Sequence, residues 1–453
     1  MKEKIRIASG QGFWGDLIDA PYRQATEGQI DYLVMDYLAE VTMSILQKQK
    51  LKNPDFGYAR DIPPLMEKLL PVMKEKKFKI ITNGGGVNPI ACKDAILEIA
   101  KKLGISDLKI GVVLGDNILT KIDSYIENGI DLKNMETGES ARIIKDKLLS
   151  ANVYFGAEPV VNCLKEGADI VITGRVTDTG LTLAPMIYEF GWDMKNYDLM
   201  SAGTIAGHIL ECGGQASGGN FLGDWKKIKD MWNIGFPIAE AFPNGEFIIT
   251  KHAGTGGLVS LDTVSEQLVY EIGDPTEYIT PDCIADFMSI QLEDLSPDKV
   301  RVYGIKGKPE TEFYKVSMSY SDGYSAFGSL TYSWPEALEK AKAADEILRK
   351  RLENLGLNFD EIRTEYQGYN SCHGHIADEI KEPNEVVMRI GVRSKDRKSV
   401  ERFGMEIAPL ILTGPPGVTG FAGGRPKPSE VVAYWPALIP KKAVKPEIQL
   451  YKL

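Results

Sequence analysis

The sequence has few of the residues that build disulfide frameworks and metal sites. Its 453 residues include five cysteines and four histidines, and no two cysteines form a CxxC pair. An odd, scattered set of cysteines indicates neither a disulfide framework nor a thiolate zinc site. The sequence also has no run of about 18 apolar residues, the length that spans a membrane as a helix. We therefore expect no membrane segment and a protein of a reducing compartment.

A surplus of positive charge is also missing, since the formal net charge is −10. Nucleic-acid binding depends on lysine and arginine side chains that displace counterions from phosphates, so nucleic acid is not the expected partner. The first ten residues, MKEKIRIASG, contain no apolar core of the kind that signal peptides have. Together these absences favour a cytoplasmic protein.

The composition that is present is that of an ordinary globular chain, 43% hydrophobic and 26% charged, and the length suits two or three domains. In the first half, short apolar runs alternate with helical segments, which is the pattern of a parallel sheet with right-handed crossovers. We predict a doubly wound parallel α/β domain over residues 1–225. Its strands are expected at 4–8, 32–35, 78–81, 108–113, 153–155 and 170–172.

Residues 226–453 show a different pattern and predict an α+β domain with a mixed or antiparallel sheet. The segments 301–305, 313–319 and 326–332 alternate polar and apolar residues, as half-buried strands do. Residues 321–323, Ser-Asp-Gly, are typical of a turn, so we expect two separate strands on either side of them.

The stretch 169–185, DIVITGRVTDTGLTLAP, is the strongest candidate for a functional site. A buried strand leads into a polar loop that contains Arg175 and Asp178, and a helical segment follows. Open α/β sheets bind their ligands at such loops, beyond the carboxyl ends of the strands. Arg175 suits an anionic substrate, and Asp178 suits acid–base chemistry. The alternative is structural, with Thr177 or Asp178 capping the helix and Arg175 pairing with Asp178.

The other predicted strands also lead into glycine and a polar residue. Because the carboxyl ends of parallel strands meet at one edge of the sheet, these residues predict a polar rim, although some of them will serve as caps and turn residues. The members of this rim are Asp16, Asn83, Asp116, Glu158 and Asp178.

Two glycine-rich loops of the first half have the character of anion sites. After the third strand, Asn83, Gly84, Gly85 and Gly86 precede a helix that opens at Pro89. Free N–H groups at such a helix start attract phosphate or carboxylate, and a tight turn without a ligand is the alternative.

The loop after the first strand carries Gly10, Gly12 and Gly15 at GxGxxG spacing, and Asp36 stands where a ribose partner would. A dinucleotide-binding site is therefore kept as an alternative.

Two later segments add candidate acids, bases and anion-binding residues. Glu211 suits an acid–base role, and His208 shares its helix, although a structural role for His208 is the alternative. A predicted strand leads into a loop with Lys251, His252 and Thr255. In this loop Lys251 and Thr255 suit an anion, and His252 suits an acid or base.

The last part of the chain offers a metal alternative and one more cation. Cys372, His373 and His375 lie on a predicted loop, but no carboxylate stands at a standard metal-ligand spacing from them. The glycine- and proline-rich run 413–426 is expected to be an ordered loop that carries Arg425 to the site, with a disordered crossing as the alternative.

Several longer stretches of the sequence resemble the acyclic terpene utilisation (AtuA) family. They are SGQGFWGD, DYLVMDYLAE, ITNGGGVNP, GRVTDTGLTLAP, AGHILECGGQASGGNF, GFPIAE, KHAGTGGLVSLDTVSEQLVYEIGDP and GPPGVTGFAGGRPKP. They cover nearly the whole chain and together are highly specific for the family. The resemblance implies a catabolic enzyme or enzyme subunit that handles branched acids as coenzyme A esters. It also implies a separate small partner protein, because longer relatives carry an extra C-terminal domain of about a hundred residues.

We expect an enzyme that acts on a carboxylic acid or its acyl-CoA ester as a lyase or hydratase, in a homo-oligomer. Such chemistry needs an acid, a base and a group that stabilises an enolate-like oxygen. The expected catalytic residues are Asp178, Glu211 and His252. The expected substrate-binding residues are Asn83, Gly84, Gly85, Gly86, Arg175, Lys251, Thr255 and Arg425.

Two other functions stay open at this point. Sparse histidines and the absence of a recognised nucleophile motif favour a noncatalytic acyl-CoA-binding or scaffolding subunit. The first glycine loop favours an NAD-dependent oxidoreductase. A divalent metal ion held by Asp16, Asp178 and Glu211 is an open cofactor question.

Overall fold

The computed structural model describes residues 2–378, 380–421 and 423–453. Ala422, which belongs to the predicted glycine-proline loop, lies outside the described residues. The strands of the described chain are β1 (Ile5–Gln11), β2 (Tyr32–Met35), β3 (Lys79–Thr82), β4 (Lys109–Leu114), β5 (Leu148–Val153), β6 (Ile170–Thr173), β7 (Ile238–Ala241), β8 (Phe247–Thr250), β9 (Tyr278–Ile279), β10 (Ile284–Asp286), β11 (Gln291–Ser296), β12 (Lys299–Tyr303), β13 (Lys306–Lys308), β14 (Phe313–Ser333), β15 (Glu361–Gln367), β16 (Glu385–Ser394), β17 (Val418–Gly420), β18 (Ser429–Pro440) and β19 (Glu447–Lys452). The helices are α1 (Ala20–Glu27), α2 (Glu40–Lys52), α3 (Ile62–Lys76), α4 (Pro89–Lys102), α5 (Ile122–Glu127), α6 (Glu158–Lys165), α7 (Gly180–Phe190), α8 (Tyr197–Glu211), α9 (Leu261–Val269), α10 (Ala337–Asn354), α11 (Arg397–Ile407) and α12 (Leu410–Thr413).

The chain forms two compact units, Met1–Ser319 with Tyr434–Leu453, and Tyr320–Ala433. The boundary expected at residue 225 lies inside the first of these units. Strands beyond that residue join the same sheet as β1, because the free edge of β1 pairs antiparallel with β7. The change of sequence pattern expected at residue 226 therefore accompanies a change of strand direction within one sheet.

The first unit is built on a ten-stranded sheet with the order β11-β12-β8-β7-β1-β2-β3-β6-β4-β19. β1, β2, β3, β6 and β4 are parallel, and the strands on both sides run antiparallel to their neighbours. The short apolar runs predicted as inner strands are buried on both faces, as parallel strands between helices are. The protein is therefore mixed α/β, with parallel and antiparallel strands.

Helices cover the parallel strands on both faces. α1, α3 and α4 share one core with Ile80, Ile110 and Ile170. From β4 the chain returns to β6, which lies between β3 and β4, so it moves back across the sheet. A right-handed connection over this return places α6 on the opposite face, where α6, α7 and α8 pack together.

Strand order departs from chain order where β6 lies between β3 and β4. The loop after β3 consequently leads to α4 on one face, and the loop after β6 leads to α7 on the other. Such a divergence is a topological switch point, and it opens a crevice at the carboxyl ends of the two strands. The fold thus places the loops that follow Thr82 and Thr173 side by side.

One predicted strand of the parallel sheet lies elsewhere. The segment expected at 153–155 follows β5, and β5 pairs with β14 instead of joining the parallel strands. Only a single bridge, Phe155 with Val176, connects this segment to the loop after β6. This bridge still brings the residues after β5 to the crevice.

The second unit holds an antiparallel sheet in the order β15-β16-β14-β17, with α10 and α11 packed on one face. The turn predicted at 321–323 was wrong, since β14 runs unbroken through these residues. Asp322 is held in the sheet by ion pairs with Arg393 and Lys395. These partners lie far along the chain, so the local turn signal is outweighed by the ladder with β16.

No helix within the described residues has the length and apolar content that crossing a bilayer requires.

A buried carboxyl at the start of α6 predicts a pH effect on stability. Both oxygens of Asp282 accept from the Ala157 backbone N–H, at 2.9 and 3.1 Å, and burial raises the pKa of Asp282 from 3.8 to about 6. The folded protein therefore binds this proton more tightly than the unfolded chain does. The stability that it contributes is complete below about pH 4 and is lost as the pH rises through about 6.

Asp282→Asn, which is neutral at every pH, should remove this component. Between pH 4.5 and 7 the unfolding free energy of the natural protein should fall by about 2 kcal/mol more than that of the variant. Urea denaturation at each pH measures both values. Asp286→Asn is the control, because Asp286 is a partly exposed cap that accepts from the Met288 N–H at 2.9 Å. Equal slopes for the natural protein and Asp282→Asn would contradict the prediction.

Candidate functional site

Asn83 joins the loops that follow β2 and β3. Its Nδ2 donates to Asp36 Oδ1 at 2.7 Å, and its Oδ1 accepts from the Tyr37 N–H at 2.8 Å. Asp36 Oδ1 also accepts from the Leu38 N–H at 3.0 Å. Because Asn83 is fully buried, it fixes the position of Asp36 at the bottom of the crevice, and its amide is committed to the protein itself.

Arg175 crosses the crevice from the loop after β6. Its guanidinium donates through Nη1 to the Leu38 carbonyl oxygen and through Nη2 to Asp178 Oδ2, the latter at 3.3 Å. Nη1 also lies 3.1 Å from Asp178 Oδ1, and the guanidinium carbon lies 4.2 Å from the centre of the Tyr154 ring. The Arg175–Asp178 pairing weighed from the sequence is therefore present. With 3% of its side chain exposed, Arg175 orients Asp178 and offers little surface to a ligand.

The backbone of this loop is held by the end of β4. Asp116 Oδ2 accepts from the Arg175 N–H at 2.9 Å and from Asn152 Nδ2 at 2.8 Å. Gly174 is required here, because a Cβ at that position would lie 2.4 Å from Asp116 Oδ1. The rim predicted from strand ends thus brings Asp116 and Asn83 to the same crevice as Asp178.

Burial and a neighbouring charge favour the protonated form of Asp36 in this crevice. Burial, and next the Asp178 charge, raise the pKa of Asp36 well above its ordinary value, against the opposing effect of Arg175 and Asn83. Burial lowers the pKa of Arg175, but Asp178, Tyr154 and further acidic groups outweigh it, so the pKa is raised and the guanidinium stays charged. A carboxyl whose protonated form is favoured by burial therefore lies close to the ion pair of Arg175 and Asp178.

Lys315 is an exposed cation of this crevice that sequence reasoning missed. Its Nζ lies 5.0 Å from the centre of the Tyr154 ring and 3.7 Å from Glu40 Oε1. The Tyr154 hydroxyl donates to the same Glu40 oxygen at 3.3 Å. About 41% of the Lys315 side chain is exposed, so it can reach an anionic ligand where Arg175 cannot. A lysine on an alternating strand gives no sequence signal for such a role.

Several buried polar atoms of the loop after β6 have no hydrogen-bond partner within the described chain: Arg175 Nε, Thr177 Oγ1 and Thr179 Oγ1. Buried polar groups are nearly always paired, so each exception in a native fold calls for an explanation. Their concentration in one loop supports a functional use of that loop.

The end of α8 brings Glu211 and His208 toward the same loop. His208 Nδ1 lies 2.9 Å from Glu211 Oε1, and His208 Nε2 lies 3.0 Å from the Gln267 carbonyl oxygen. Burial raises the pKa of Glu211; the His208 charge opposes this, and the charge of Asp178 adds to the increase. Asp178 and Glu211, two of the three expected catalytic residues, are therefore electrostatic neighbours.

The first glycine loop packs against this end of α8. A Cβ on Gly12 would lie 2.8 Å from the Cys212 carbonyl carbon, and Asp16 Oδ2 accepts from the Gly12 N–H at 2.9 Å. Asp36, the expected ribose partner of a dinucleotide, is buried and engaged by Asn83. Gly12 and Asp16 thus serve contacts within the chain.

The triple-glycine loop is packed in a similar way. Gly84, Gly85 and Gly86 are buried, and a Cβ on any of them would lie within 2.6 Å of a neighbouring atom. Gly85 faces the Thr173 carbonyl oxygen, so its missing side chain lets the loops after β3 and β6 approach each other. These glycines shape the crevice, and neighbouring protein atoms occupy the space where their side chains would lie.

Lys251, His252 and Thr255 lie near a different part of the sheet edge. Lys251 Nζ lies 3.0 Å from Asp298 Oδ2 and donates to the Thr255 carbonyl oxygen at 3.1 Å. Their loop follows β8, five strand positions from β6, which is roughly 24 Å at 4.8 Å per strand. The structure therefore does not bring them together with Arg175 and Asp178.

His252 lines a separate cleft of about 320 Å³ with Arg23 and Trp232. Burial lowers the pKa of His252, which favours a neutral imidazole. Arg425 is exposed in the second unit.

The metal alternatives find no support in the described ranges. No three His, Cys, Asp or Glu side chains there are arranged to hold a metal ion. Cys372, His373 and His375 are all exposed, and Asp16 is occupied with its own loop.

A family model described as "Acyclic terpene utilisation family protein AtuA" matches residues 5–450. No curated protein matches the chain.

Proposed function

The chain belongs to the acyclic terpene utilisation (AtuA) family, and from that premise we propose that it is a catabolic enzyme acting on a carboxylic acid or its acyl-CoA ester. The family description refers to the use of acyclic terpenes, which is a catabolic role. We assign the reaction to lyase or hydratase chemistry, in which carboxyl groups move protons to and from the substrate.

One observation carries this proposal: Asp36, Asn83, Arg175 and Asp178 meet at the switch point between β3 and β6. Ligands of open α/β sheets bind in this crevice. About a third of the Asp178 side chain is exposed, whereas the arginine that orients it is buried. A carboxylate held in one orientation at the mouth of a crevice is the arrangement that general-base catalysis needs.

Each residue of the crevice has a role in this proposal. Asp178 takes a proton from the carbon next to the carboxyl or thioester group, and Glu211 exchanges a proton with the oxygen that leaves or adds. Lys315 binds the substrate's carboxylate or a coenzyme A phosphate, since its side chain is a cation exposed at the crevice. Arg175 holds Asp178 in place, and His252 has no part, because it lies in a separate cleft.

The test begins with the molecules that the protein itself selects. Native mass spectrometry of the purified protein would identify retained acids or acyl-CoA esters, and it also checks the predicted homo-oligomer and small partner protein. Turnover of the identified compound, and of related acids and esters, would then be followed by mass spectrometry. We expect Asp178→Asn to lower kcat by about 10²–10⁴-fold.

Asp123→Asn is the matched control, because Asp123 is an exposed aspartate paired with Lys145 at 3.0 Å. It should leave turnover unchanged. Undiminished turnover by Asp178→Asn would contradict the proposed role of the crevice. Saturable binding of an acyl-CoA without any product would favour a noncatalytic binding subunit instead.

A further inference from the structure

The His208 ring makes a hydrogen bond through each of its nitrogens. Nε2 faces the Gln267 carbonyl oxygen at 3.0 Å, and a carbonyl oxygen only accepts, so Nε2 must carry a hydrogen. Nδ1 faces Glu211 Oε1 at 2.9 Å. That contact also needs one proton, which lies either on the imidazole or on the carboxyl. The pair therefore holds a shared proton between His208 and Glu211.

The surroundings enclose the ring. His208 is 2% exposed, and the ring centres of Tyr278 and Phe287 lie 5.7 and 5.4 Å from its own. A second hydrogen bond joins the same two residues, because Gln267 Nε2 donates to the His208 carbonyl oxygen at 2.9 Å. A ring packed in this way keeps Nδ1 aimed at Glu211.

The charged side chains with the largest effects on this pair, among the residues that the structure describes, are acidic. Asp178 from the loop after β6 and Glu271 from the end of α9 act on Glu211, and Glu271 also acts on His208. Tyr278, Tyr270 and Cys212 are further ionisable neighbours. Burial lowers the pKa of His208, but the Glu211 carboxylate, the Gln267 carbonyl oxygen and Glu271 outweigh burial and raise it. Acidic surroundings thus favour the protonated imidazole.

The second oxygen of Glu211 is left for other use. Within the described chain Glu211 Oε2 has no hydrogen-bond partner, and it is not one of the fully buried unpaired atoms. It therefore has access to solvent, and the charge of Asp178 acts on the same carboxyl group.

We propose that His208 is a positioning residue, held as an imidazolium, that binds Glu211 Oε1 and directs Oε2 toward the substrate. The use of Oε2 in catalysis rests on the proposed function, whereas the protonation state of the pair does not. In the base direction, an O–H bond forms at Oε2 as a substrate O–H bond breaks, and the electron pair stays on the substrate oxygen. The His208 protons stay in place. In the reverse step the proton on Oε2 returns to the substrate oxygen.

The protonation state is measurable in the resting protein. The chain has four histidines, so ¹⁵N-histidine labelling with long-range ¹H–¹⁵N correlation spectra resolves each ring, and His208→Gln assigns the signal. At pH 7 both His208 nitrogens should show the shifts of protonated ring nitrogens. Glu211→Gln should lower the titration midpoint of His208 by about 1–3 units. The resulting neutral ring should keep its hydrogen on Nε2.

Glu271→Gln is the matched control, because it removes a neighbouring carboxylate that makes no hydrogen bond to His208. Its effect on the His208 midpoint should be clearly smaller than that of Glu211→Gln. A natural protein with neutral His208 at pH 7, or equal midpoints in both variants, would overturn the inference even if turnover is found.

The positioning role has its own readout once a substrate is known. His208→Gln should lower kcat by about 10²-fold and move the acid limb of the pH–kcat profile, with KM little changed. A variant that is less stable but has the natural kcat and pH profile would show a purely structural pair and overturn the role. Failure to find any turnover would count against the proposed function, and the spectra would still decide the protonation state.

Discussion

Arg175→Met is expected to lower the free energy of unfolding by about 3–5 kcal/mol, the usual loss when one partner of a buried charge pair is removed. Asp178 would lose both contacts with the guanidinium, the Leu38 carbonyl oxygen would lose its donor, and Tyr154 would lose the stacked cation. The loss can be measured by urea denaturation at pH 7.

Arg60→Met is the control, since Arg60 is an exposed arginine that also stacks on an aromatic ring, with 4.0 Å between its guanidinium carbon and the Phe56 ring centre. Exposed contacts of this kind contribute about 1 kcal/mol or less. If both variants lost the same small amount, the buried network around Arg175 would not be the stabilising centre that we describe.

Gly85→Ala is expected to cost about 3 kcal/mol, because the added Cβ overlaps backbone and not a flexible side chain. It would lie 2.6 Å from the Thr173 carbonyl oxygen and 2.8 Å from Ile172 Cγ2. Relief of this overlap requires the loops after β3 and β6 to separate, which moves Asn83 away from Asp178. We therefore expect lower thermal stability together with at least tenfold lower kcat, since small misplacements of reacting groups are costly.

Gly273→Ala is the matched control for this substitution. Gly273 is exposed, a Cβ there would meet no atom within 4 Å, and its backbone does not need a positive φ. Its unfolding free energy should change by less than about 0.5 kcal/mol. Similar thermal shifts for the two alanine variants would disprove the close approach of the two loops.

The parallel strands were predictable because each is a short, local signal. The strand at Tyr32–Met35 has the predicted bounds, and Ile170–Thr173 differs from its prediction by one residue. Apolar runs bounded by glycine and polar residues are buried on both faces. The residues that flank such a run therefore indicate where the strand begins and ends. The convergence of Asn83, Asp116 and Asp178 was also predictable, because carboxyl ends of parallel strands lie at one edge.

The partners of the candidate site residues were not predictable in the same way. Lys251 suits an anion by its sequence, but Asp298 supplies that charge from a distant segment. His208 is held by the backbone of Gln267, 59 residues away. Ion pairs and hydrogen bonds across such separations leave no spacing pattern, since the chain between them can have any length.

By itself, the sequence determined the family, the mixed α/β class and the set of polar strand ends from which a site would be built. The tertiary structure decided which of these ends became neighbours, because the insertion of β6 beside β3 is a matter of strand order. It also decided which charges reach solvent. Arg175 is buried and committed to Asp178, whereas Lys315 is exposed at the same crevice, and burial depends on packing from both halves of the first unit.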